Sequence, residues 1–504
     1  MDSHTISTTT ESSPTIPAKC ISLPAEVWLL IFSVGRLDRH GDFWSTYDHP
    51  TMAKICRCCT LFRDLIRPRL YCNFESIMFT GVWHRFSVEK FARTVCENPR
   101  LAGMVRRVDI RGLCRMDELF GPARVLSAGD PDHDLALILV QKAAELGIGL
   151  QPYLSYRDDS MRDYVGFDLT ALVLAQLPML HTIRLHWYYG PPPDTVRVNP
   201  SLAGMPKPTS GWPWTSSIRN MALMYCGRPE PVYDHGPAGR PRPHPPGDGS
   251  FGSALSLLDS GSSLTRLSLV HINGPQPIFP LSNLLEVTLR GCRSYDFGLV
   301  NLLKRCSRLR KFVYGASTWE AHHLRPSPRD VIKALEPAQE TLETLAIDFH
   351  GGGQVWDRAR IQSLKQFTAL KTLYIDMNTL WDSDAARDMH HLPNQDVLLT
   401  TVLPDSVEDL ALFCFDACEL LELRIEAHLR RLAIDRREKG AFPCLGTLRG
   451  KGLSPHMYRW QDEDHNRVAV FDEAIDLLRD DGVDVILNDP GCWGPEFSDI
   501  MTFR

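Results

Sequence analysis

The sequence predicts an α/β fold in which a small N-terminal helical module precedes a solenoid with a curved parallel sheet inside and helices outside. Three observations lead to this fold. An apolar pattern, Leu-x-x-Leu-x-Leu, recurs along most of the chain after residue 100. Segments with apolar residues at three-to-four spacing, typical of amphipathic helices, lie between its copies. Two further segments of this helical kind stand ahead of the first copy.

The composition is that of a soluble globular protein. Hydrophobic residues make up 43% and charged residues 23% of the 504-residue chain. The net charge of -6 argues against nucleic acid as the main partner. The N-terminus lacks the pattern of a signal peptide, and the apolar run Ala171–Leu180 is shorter than the roughly 20 residues of a membrane span. Fourteen scattered cysteines favour a reducing compartment, so we expect a cytoplasmic or nuclear protein without a membrane partner.

The N-terminal module begins with a helix-start signal. Ser22 is placed to cap the first helix, Pro24 falls in its first turn, and Leu23, Val27 and Ile31 share one face. A polar loop follows. The second helix is predicted from about Thr51 to Leu65, with Pro68 as its stop and a β-like run over Phe74–Phe79 after it.

This module resembles the F-box, and most of all the F-box proteins of filamentous fungi. The resemblance rests on the opening Leu23-Pro24-x-Glu26-Val27, on Ile55-Cys56-Arg57, and on the exit Arg67-Pro68-x-Leu70-Tyr71. It covers about 50 residues, and the stretch between Phe32 and Ile55 is several residues longer than is usual in that family. The resemblance implies docking to a Skp-family adaptor, and through it to a cullin, by a set of mostly apolar residues: Leu23, Pro24, Val27, Ile31, Phe32, Ile55, Cys56, Phe62 and Leu65.

The apolar pattern predicts one short strand for each copy. Copies begin at Val105, Leu180, Leu264, Leu284, Leu309, Leu342, Leu370, Val407 and Leu429. From Leu264 onward they start between 20 and 37 residues apart, whereas a leucine-rich repeat has about 20–29 residues. The sequence therefore predicts an irregular leucine-rich-repeat array, with helices over Phe297–Leu309, Pro328–Ala338 and Asp357–Ala369, and a final helix and strand over Phe471–Leu478 and Val483–Leu487.

A segment crowded with Pro and Gly, Gly190–Gly252, interrupts the array. We expect no central strand there, although Trp212 and Trp214 could pin part of it to the body. The domain organisation predicted from these features is a disordered tail at 1–20, the F-box-like module at 21–72, the first repeat units at 73–189, the insertion at 190–252, the main array at 253–488 and a C-terminal tail at 489–504.

The sequence predicts no catalytic residues, no metal site and no cofactor. Cys56, Cys58 and Cys59 invite a zinc interpretation, but structural zinc needs four ligands and no second pair is close. Packing of Cys56 and Cys59 along one helix is the favoured alternative. Neither a phosphate-binding loop nor a dinucleotide fingerprint is present, so we expect a protein that is not an enzyme.

The residues that alternate with the strand leucines are predicted to face a target protein. The candidates are Arg184, His186, Arg266, Arg290, Lys311, Asp348, Tyr374 and Asp376. The face is predicted to run from basic, at Arg184 and Arg266, to acidic, at Asp376 and Asp409. Such a gradient would orient a polar partner, but mixed charge is also the ordinary way to keep a surface soluble.

These expectations combine into one functional hypothesis. The resemblance implies a substrate-recognition subunit of a cullin–RING ubiquitin ligase, with the adaptor on the F-box and an unknown protein target on the repeat face. The alternative is a protein-interaction scaffold, outside ubiquitination, in which the same helices form a cap on the first repeat.

Overall fold

The protein is described by a computed structural model, which covers residues 49–77, 85–114, 131–148, 162–188, 208, 210–225, 233–235, 241–243, 263–270, 282–292, 296–316, 326–349, 360–380, 399–413, 419–451 and 468–487. The chain divides into two compact units, Met1–Cys72 and Asn73–Arg504. The predicted first helix and both predicted tails lie outside the described residues.

In the first unit, two helices pack against each other: α1 (His49–Cys56) and α2 (Thr60–Cys72). The prediction of one helix over this region is wrong. The chain turns after α1, where the amides of Arg57 and Cys58 donate to carbonyls three residues back. Helix α2 then starts afresh, and Cys59 Sγ accepts a hydrogen bond from the Phe62 amide at 3.4 Å. Cys58 and Cys59 are therefore exposed in a turn, and the prediction that Cys59 packs along a helix is wrong.

Pro68 lies inside α2 and does not end it. A proline in a helix costs about 3 kcal/mol, because it removes one hydrogen bond and crowds the preceding turn. The helical turn after it half-buries Leu70 and Tyr71, and burial of apolar surface offsets such a cost. The stop predicted at Pro68 is therefore wrong.

The second unit is built on a twelve-stranded sheet in which every neighbouring pair is parallel. Its strands are β1 (Asn73–Ile77), β2 (Arg107–Cys114), β3 (Thr182–Tyr188), β4 (Asn220–Tyr225), β7 (Arg266–Val270), β8 (Glu286–Arg290), β9 (Lys311–Gly315), β10 (Thr344–Asp348), β11 (Thr372–Asp376), β12 (Asp409–Phe413), β13 (Thr447–Lys451) and β14 (Asp484–Leu487). They lie side by side in chain order. The short strands β5 (Tyr233–His235) and β6 (Pro241–Pro243) form a separate antiparallel pair.

Helices alternate with these strands along the chain. They are α3 (Arg85–Glu97), α4 (Pro99–Ala102), α5 (Pro131–Glu145), α6 (Arg162–Ala175), α7 (Asp296–Leu303), α8 (Pro328–Ala334), α9 (Leu399–Val402), α10 (Glu419–Lys439) and α11 (Val468–Asp480). Two short 3₁₀ helices cover Glu336–Ala338 and Met377–Thr379. Within the described part of the chain, no helix combines the length and the apolar character that crossing a membrane requires.

The core follows from the three apolar positions of each repeat. The first position lies two residues before its strand, and the other two are the second and fourth strand residues, which point to the same side because side chains alternate along a strand. In the fourth repeat of the main array these are Leu342, Leu345 and Ile347, all fully buried. The equivalent residues of neighbouring repeats join them in one continuous core. A single repeat cannot bury these side chains, so stacking of repeats creates the core.

One copy of the pattern is not a strand. Leu429 and Leu432 lie in the middle of α10, where Ile425, Leu429, Leu432 and Ala433 form a buried helical face. The three-residue spacing between Leu429 and Leu432 fits both a repeat strand and a helix, and the strong helix formers Glu, Arg and Ala around them favour the helix. The strand predicted at Leu429 is therefore wrong, and the next strand is β13.

The Pro/Gly-rich segment contains a central strand, contrary to prediction. Strand β4 lies inside 190–252 and pairs on both sides, with β3 and with β7. It carries the pattern Ile218-x-x-Met221-x-Leu223, which was not recognised as a copy because isoleucine and methionine stand at two of the leucine positions. Trp212 and Trp214 are buried just before it, with ring centroids 5.4 Å apart, so these two side chains join the core.

The predicted helices differ in outcome. The helix at Pro328 is confirmed over Pro328–Ala334 and that at Phe297 over Asp296–Leu303, and the terminal helix and strand correspond to α11 and β14. The helix predicted over Asp357–Ala369 is wrong for residues 360–369, which are irregular. Ile361, Leu364 and Phe367 are buried there by successive turns, at a spacing of three that resembles helical periodicity.

Side-chain hydroxyls link successive repeats just before their strands. Ser217 Oγ lies 2.9 Å from the Leu180 carbonyl oxygen, Ser263 Oγ 2.9 Å from that of Ile218, and Ser406 Oγ 2.8 Å from that of Leu370. Thr341 Oγ1 makes the same contact with the Leu309 carbonyl at 2.9 Å. In each case the hydroxyl precedes the first apolar residue of its own repeat and donates to the first apolar residue of the repeat before it.

Candidate binding face

One side of the sheet carries the side chains that alternate with the core residues, and we call it the ladder face. It consists of the first, third and fifth residues of the strands, which the parallel register aligns in rows across the sheet. One such row contains Arg184, Ser268, Thr288, Ala346 and Tyr374. All eight residues predicted to face a target lie on the ladder face: Arg184, His186, Arg266, Arg290, Lys311, Asp348, Tyr374 and Asp376.

Charges on the ladder face pair across neighbouring strands. Arg266 Nε lies 3.0 Å from Glu286 Oε1, and Arg449 Nε lies 3.3 Å from Asp409 Oδ1. Two residues of the predicted gradient, Arg266 in its basic part and Asp409 in its acidic part, therefore each have an opposite charge beside them. The Arg266–Glu286 pair is the more exposed of the two, and surface pairs contribute little to stability, about 0–1 kcal/mol.

A buried polar cluster lies where β2 meets β3. Asp109 is 1% exposed; its Oδ2 lies 3.2 Å from Arg107 Nη2 and its Oδ1 lies 3.8 Å from His186 Nε2. Burial lowers the pKa of Arg107, and nearby Arg184 lowers it further. Taking two charges out of water is costly unless each has a partner, and in this cluster Arg107 and Asp109 supply opposite charges to each other. Arg107 and Asp109 were missed in the sequence, although both alternate with Val108 and Ile110 of a recognised copy.

Two of the predicted contact residues are buried, so the prediction that they face a target is wrong. Arg290 is 5% exposed and Asp376 is 0% exposed. Arg290 lies over Gly315 on the neighbouring strand, where an added Cβ would come within 3.7 Å of Arg290 Cγ. The aliphatic part of a long side chain can be buried against a neighbouring residue that has no side chain, such as Gly315. Asp376 ends β11, and Thr379 Oγ1 of the following 3₁₀ helix donates to its carbonyl at 2.6 Å.

The middle of the ladder face is apolar. Val313, Ala346 and Phe413 form a small buried cluster, separate from the main core, with Tyr374 packed against it. The predicted residues that remain at least partly accessible are Arg184, His186, Arg266, Lys311, Asp348 and Tyr374. Because Val313, Ala346 and Phe413 are at most 3% exposed, they offer a partner almost no surface, and the accessible part of the ladder face consists mainly of these six residues and their polar neighbours.

The predicted docking residues are only partly described. Leu23, Pro24, Val27, Ile31 and Phe32 lie outside the described residues. Ile55, Cys56, Phe62 and Leu65 are half-buried on α1 and α2. The sequence missed Leu61, which is 52% exposed and lies one turn before Leu65 on the same helix. Leu61 and Leu65 therefore form an accessible apolar strip, whereas Ile66 on the same helix is fully buried.

Metal chemistry finds no support in the described ranges, where no three His, Cys, Asp or Glu side chains come together in a way that could hold an ion. In particular, Cys56, Cys58 and Cys59 do not converge with a fourth ligand there.

The family comparison identifies the repeats. Residues 281–421 match the model of a leucine-rich repeat domain. No match was found among curated proteins. Residues 281–421, which carry strands β8 to β12, are therefore a leucine-rich repeat domain, and the same parallel sheet continues on both sides of the matched segment. Such a domain suggests a role in protein interaction.

Proposed function

We propose that this chain is a non-catalytic substrate receptor of a cullin–RING ubiquitin ligase. The N-terminal helices dock a Skp-family adaptor, which connects to a cullin, and the ladder face holds a protein target. The observation that carries this proposal is the order of the parts: a small unit of packed helices directly precedes a leucine-rich-repeat sheet. We also propose, from composition, that the chain works in the cytoplasm or nucleus.

The target-binding half of the proposal is supported by the ladder face. A parallel sheet of stacked repeats presents side chains from many strands in fixed rows, so its contacts are preorganised. Arg184, Lys311 and Tyr374 of this face are half-buried and therefore partly accessible, and Arg and Tyr are enriched among residues that dominate binding energy.

The docking half is supported by α2. Leu61 and Leu65 are four residues apart, on one face of a helix whose Ile66 is fully buried. Leu61 is 52% exposed, so its side chain is accessible to a partner, and a helix face of this kind fits an apolar groove.

The mechanism that follows requires no reacting group in this chain. A receptor that holds a target beside a ubiquitin-charged enzyme converts an encounter in solution into a reaction between neighbours. Effective concentrations gained by such positioning are large, and they depend on geometry alone.

Co-purification of the full chain with a Skp-family adaptor and a cullin tests this function. The double variant Leu61→Asp with Leu65→Asp should weaken adaptor binding by 30-fold or more, since two central interface residues cost about 2 kcal/mol or more between them. Leu137→Asp is the matched control, because Leu137 is 47% exposed on α5 of the repeat unit and should leave binding unchanged.

Three outcomes decide the matter. Adaptor and cullin that both co-purify with the wild type, and are lost with the double variant, support the ligase function. An adaptor without a cullin favours the scaffold outside ubiquitination. Adaptor binding that is unchanged in the double variant, or in a Leu23→Ala, Pro24→Ala variant, contradicts the docking assignment.

A further inference from the structure

A row of residues lies at the rim of the sheet, each immediately before its strand. We call it the rim row: Arg106, His181, Arg219, Thr265, Leu285, Arg310, Glu343, Lys371, Glu408 and Gly446. The amide of each residue donates to the carbonyl of the previous one, from His181 to Arg106 at 2.7 Å up to Gly446 to Glu408 at 2.9 Å. Neighbours in the row are therefore one strand spacing apart, about 4.8 Å.

The later part of the rim row carries alternating charges that pair. Arg310 Nε lies 3.8 Å from Glu343 Oε1, and Lys371 Nζ lies 3.0 Å from Glu408 Oε1. This is how an exposed row of charges on adjacent strands is ordinarily arranged, because like charges side by side repel.

The first three residues break this rule, and we call them the basic triplet: Arg106, His181 and Arg219. They immediately precede three consecutive strands of the sheet, β2, β3 and β4, in a chain whose net charge is -6. In the described ranges, no ion pair joins a carboxylate to any of the three. His181 and Arg219 are exposed and Arg106 is half-buried, so the triplet is open to solvent.

Each of the two guanidinium groups in the triplet uses a single nitrogen, its own Nη1, to donate hydrogen bonds to backbone carbonyls. Arg106 Nη1 donates to the Gly103 carbonyl at 2.6 Å, and Arg219 Nη1 donates to the carbonyls of Ser216 and Ile218, each at 3.0 Å. The carbonyl contacts fix the side chains without using the opposite edge of either guanidinium, which is planar and suited to a carboxylate. They do not explain why a histidine stands between two arginines.

The pKa of His181 also indicates an anion site between the two arginines. Burial lowers its pKa, and the neighbouring Arg106 and Arg219 lower it further. A bound anion between the two arginines would remove this repulsion and let the imidazole donate or carry a proton.

We propose that the basic triplet binds an acidic peptide segment of a partner protein. The triplet spans about 10 Å, and alternate side chains of an extended peptide lie about 7 Å apart, so two carboxylates of one segment reach both arginines. This proposal depends on the proposed function in one respect, which is that the partner is taken to be a protein. It does not involve the adaptor, so either can fail without the other.

Fluorescence anisotropy of a fluorescein-labelled hexaglutamate peptide, with the full chain at low salt, tests the site. Hexaglutamine with the same label is the peptide control. Binding should be lost progressively with added salt, because screening shortens the range of the attraction. His181→Glu should weaken binding at least tenfold, and His181→Arg should strengthen it at least threefold. The His181 side chain makes no hydrogen bond within the described ranges, so both variants should fold.

Lys371→Glu is the matched control in the same row. This substitution changes the charge of an exposed side chain by two units, which is more than His181→Glu does at neutral pH. Lys371, however, lies in the part of the rim row where the charges pair, beside Glu408. Less than a twofold effect there, with a tenfold effect at His181, supports a local site. Equal effects at the two positions, equal binding of the two peptides, or no binding overturns the proposal. Binding of pyrophosphate but not of hexaglutamate overturns the peptide assignment.

Discussion

Replacing Thr341 by valine tests the hydroxyl contacts that link successive repeats. Thr341 is half-buried directly before the first apolar residue of the β10 repeat. Its Oγ1 lies 2.9 Å from the Leu309 carbonyl oxygen, with the Ala338 and Ser307 carbonyls at 3.3 Å and 3.4 Å. Valine keeps the shape of threonine and removes the hydroxyl, so the change deletes one hydrogen bond without opening a cavity.

The magnitude follows from this geometry. A hydroxyl has a single proton, so only one of the three carbonyls receives a full hydrogen bond at a time. Losing it costs about 0.5–1.5 kcal/mol, and leaving the Leu309 carbonyl short of a partner adds to this where water cannot reach it. We therefore expect Thr341→Val to lower the free energy of unfolding by about 1–2 kcal/mol.

Equilibrium urea unfolding, followed by circular dichroism, measures the change as a shift in midpoint at constant slope. Thr341→Ser keeps the hydroxyl and removes one half-buried methyl group, so it should cost less, about 0.4 kcal/mol. Thr368→Val is the surface control, because Thr368 is exposed and should stay within about 0.5 kcal/mol of the wild type.

The reasoning is refuted if Thr341→Ser destabilises as much as Thr341→Val, since the missing methyl group and not the hydroxyl would then be responsible. A valine variant as stable as the wild type would refute it as well, because the links between repeats would then contribute nothing measurable.

Two further predictions concern buried groups. Burial raises the pKa of the Cys306 thiol to about 12, so at pH 8 a thiol reagent should label exposed Cys444 within minutes and Cys306 only after unfolding, as peptide mass spectrometry would show. Asp109→Ala should destabilise the fold by about 3–5 kcal/mol in urea unfolding, because it removes the carboxylate that pairs with the buried Arg107, whereas Glu408→Ala at the exposed pair with Lys371 should cost less than about 1 kcal/mol.

Most strand positions were predictable from the sequence. Eight of the nine recognised copies of the pattern lead into a strand of the sheet. The apolar positions of a repeat sit at intervals set by the alternation of side chains along a strand, and this alternation is a local property of the backbone. Strands β4 and β13 were not predicted, because Met221 and Gly450 stand at positions where leucine was expected.

The errors arose where the same spacing of apolar residues is compatible with two different secondary structures. Leu429 and Leu432 fit a strand pattern and a helix face alike, and Ile361, Leu364 and Phe367 fit a helix but are buried by turns. In both places the choice depends on which neighbouring segment the apolar residues meet. Pairing partners are distant in sequence, so a local pattern cannot supply that information.

The face residues show the same division between local and tertiary information. Sequence alternation by itself placed Arg184, Arg266 and Arg290 on one face of the sheet, because the period of two holds for any strand. Only the tertiary structure decided that Arg266 meets Glu286, that Arg290 is buried over Gly315, and that the basic triplet lacks a counter-charge in the described ranges. Side-chain direction is set within one strand, whereas burial and charge pairing depend on the strand beside it, and the order and register of the strands exist only in the folded sheet.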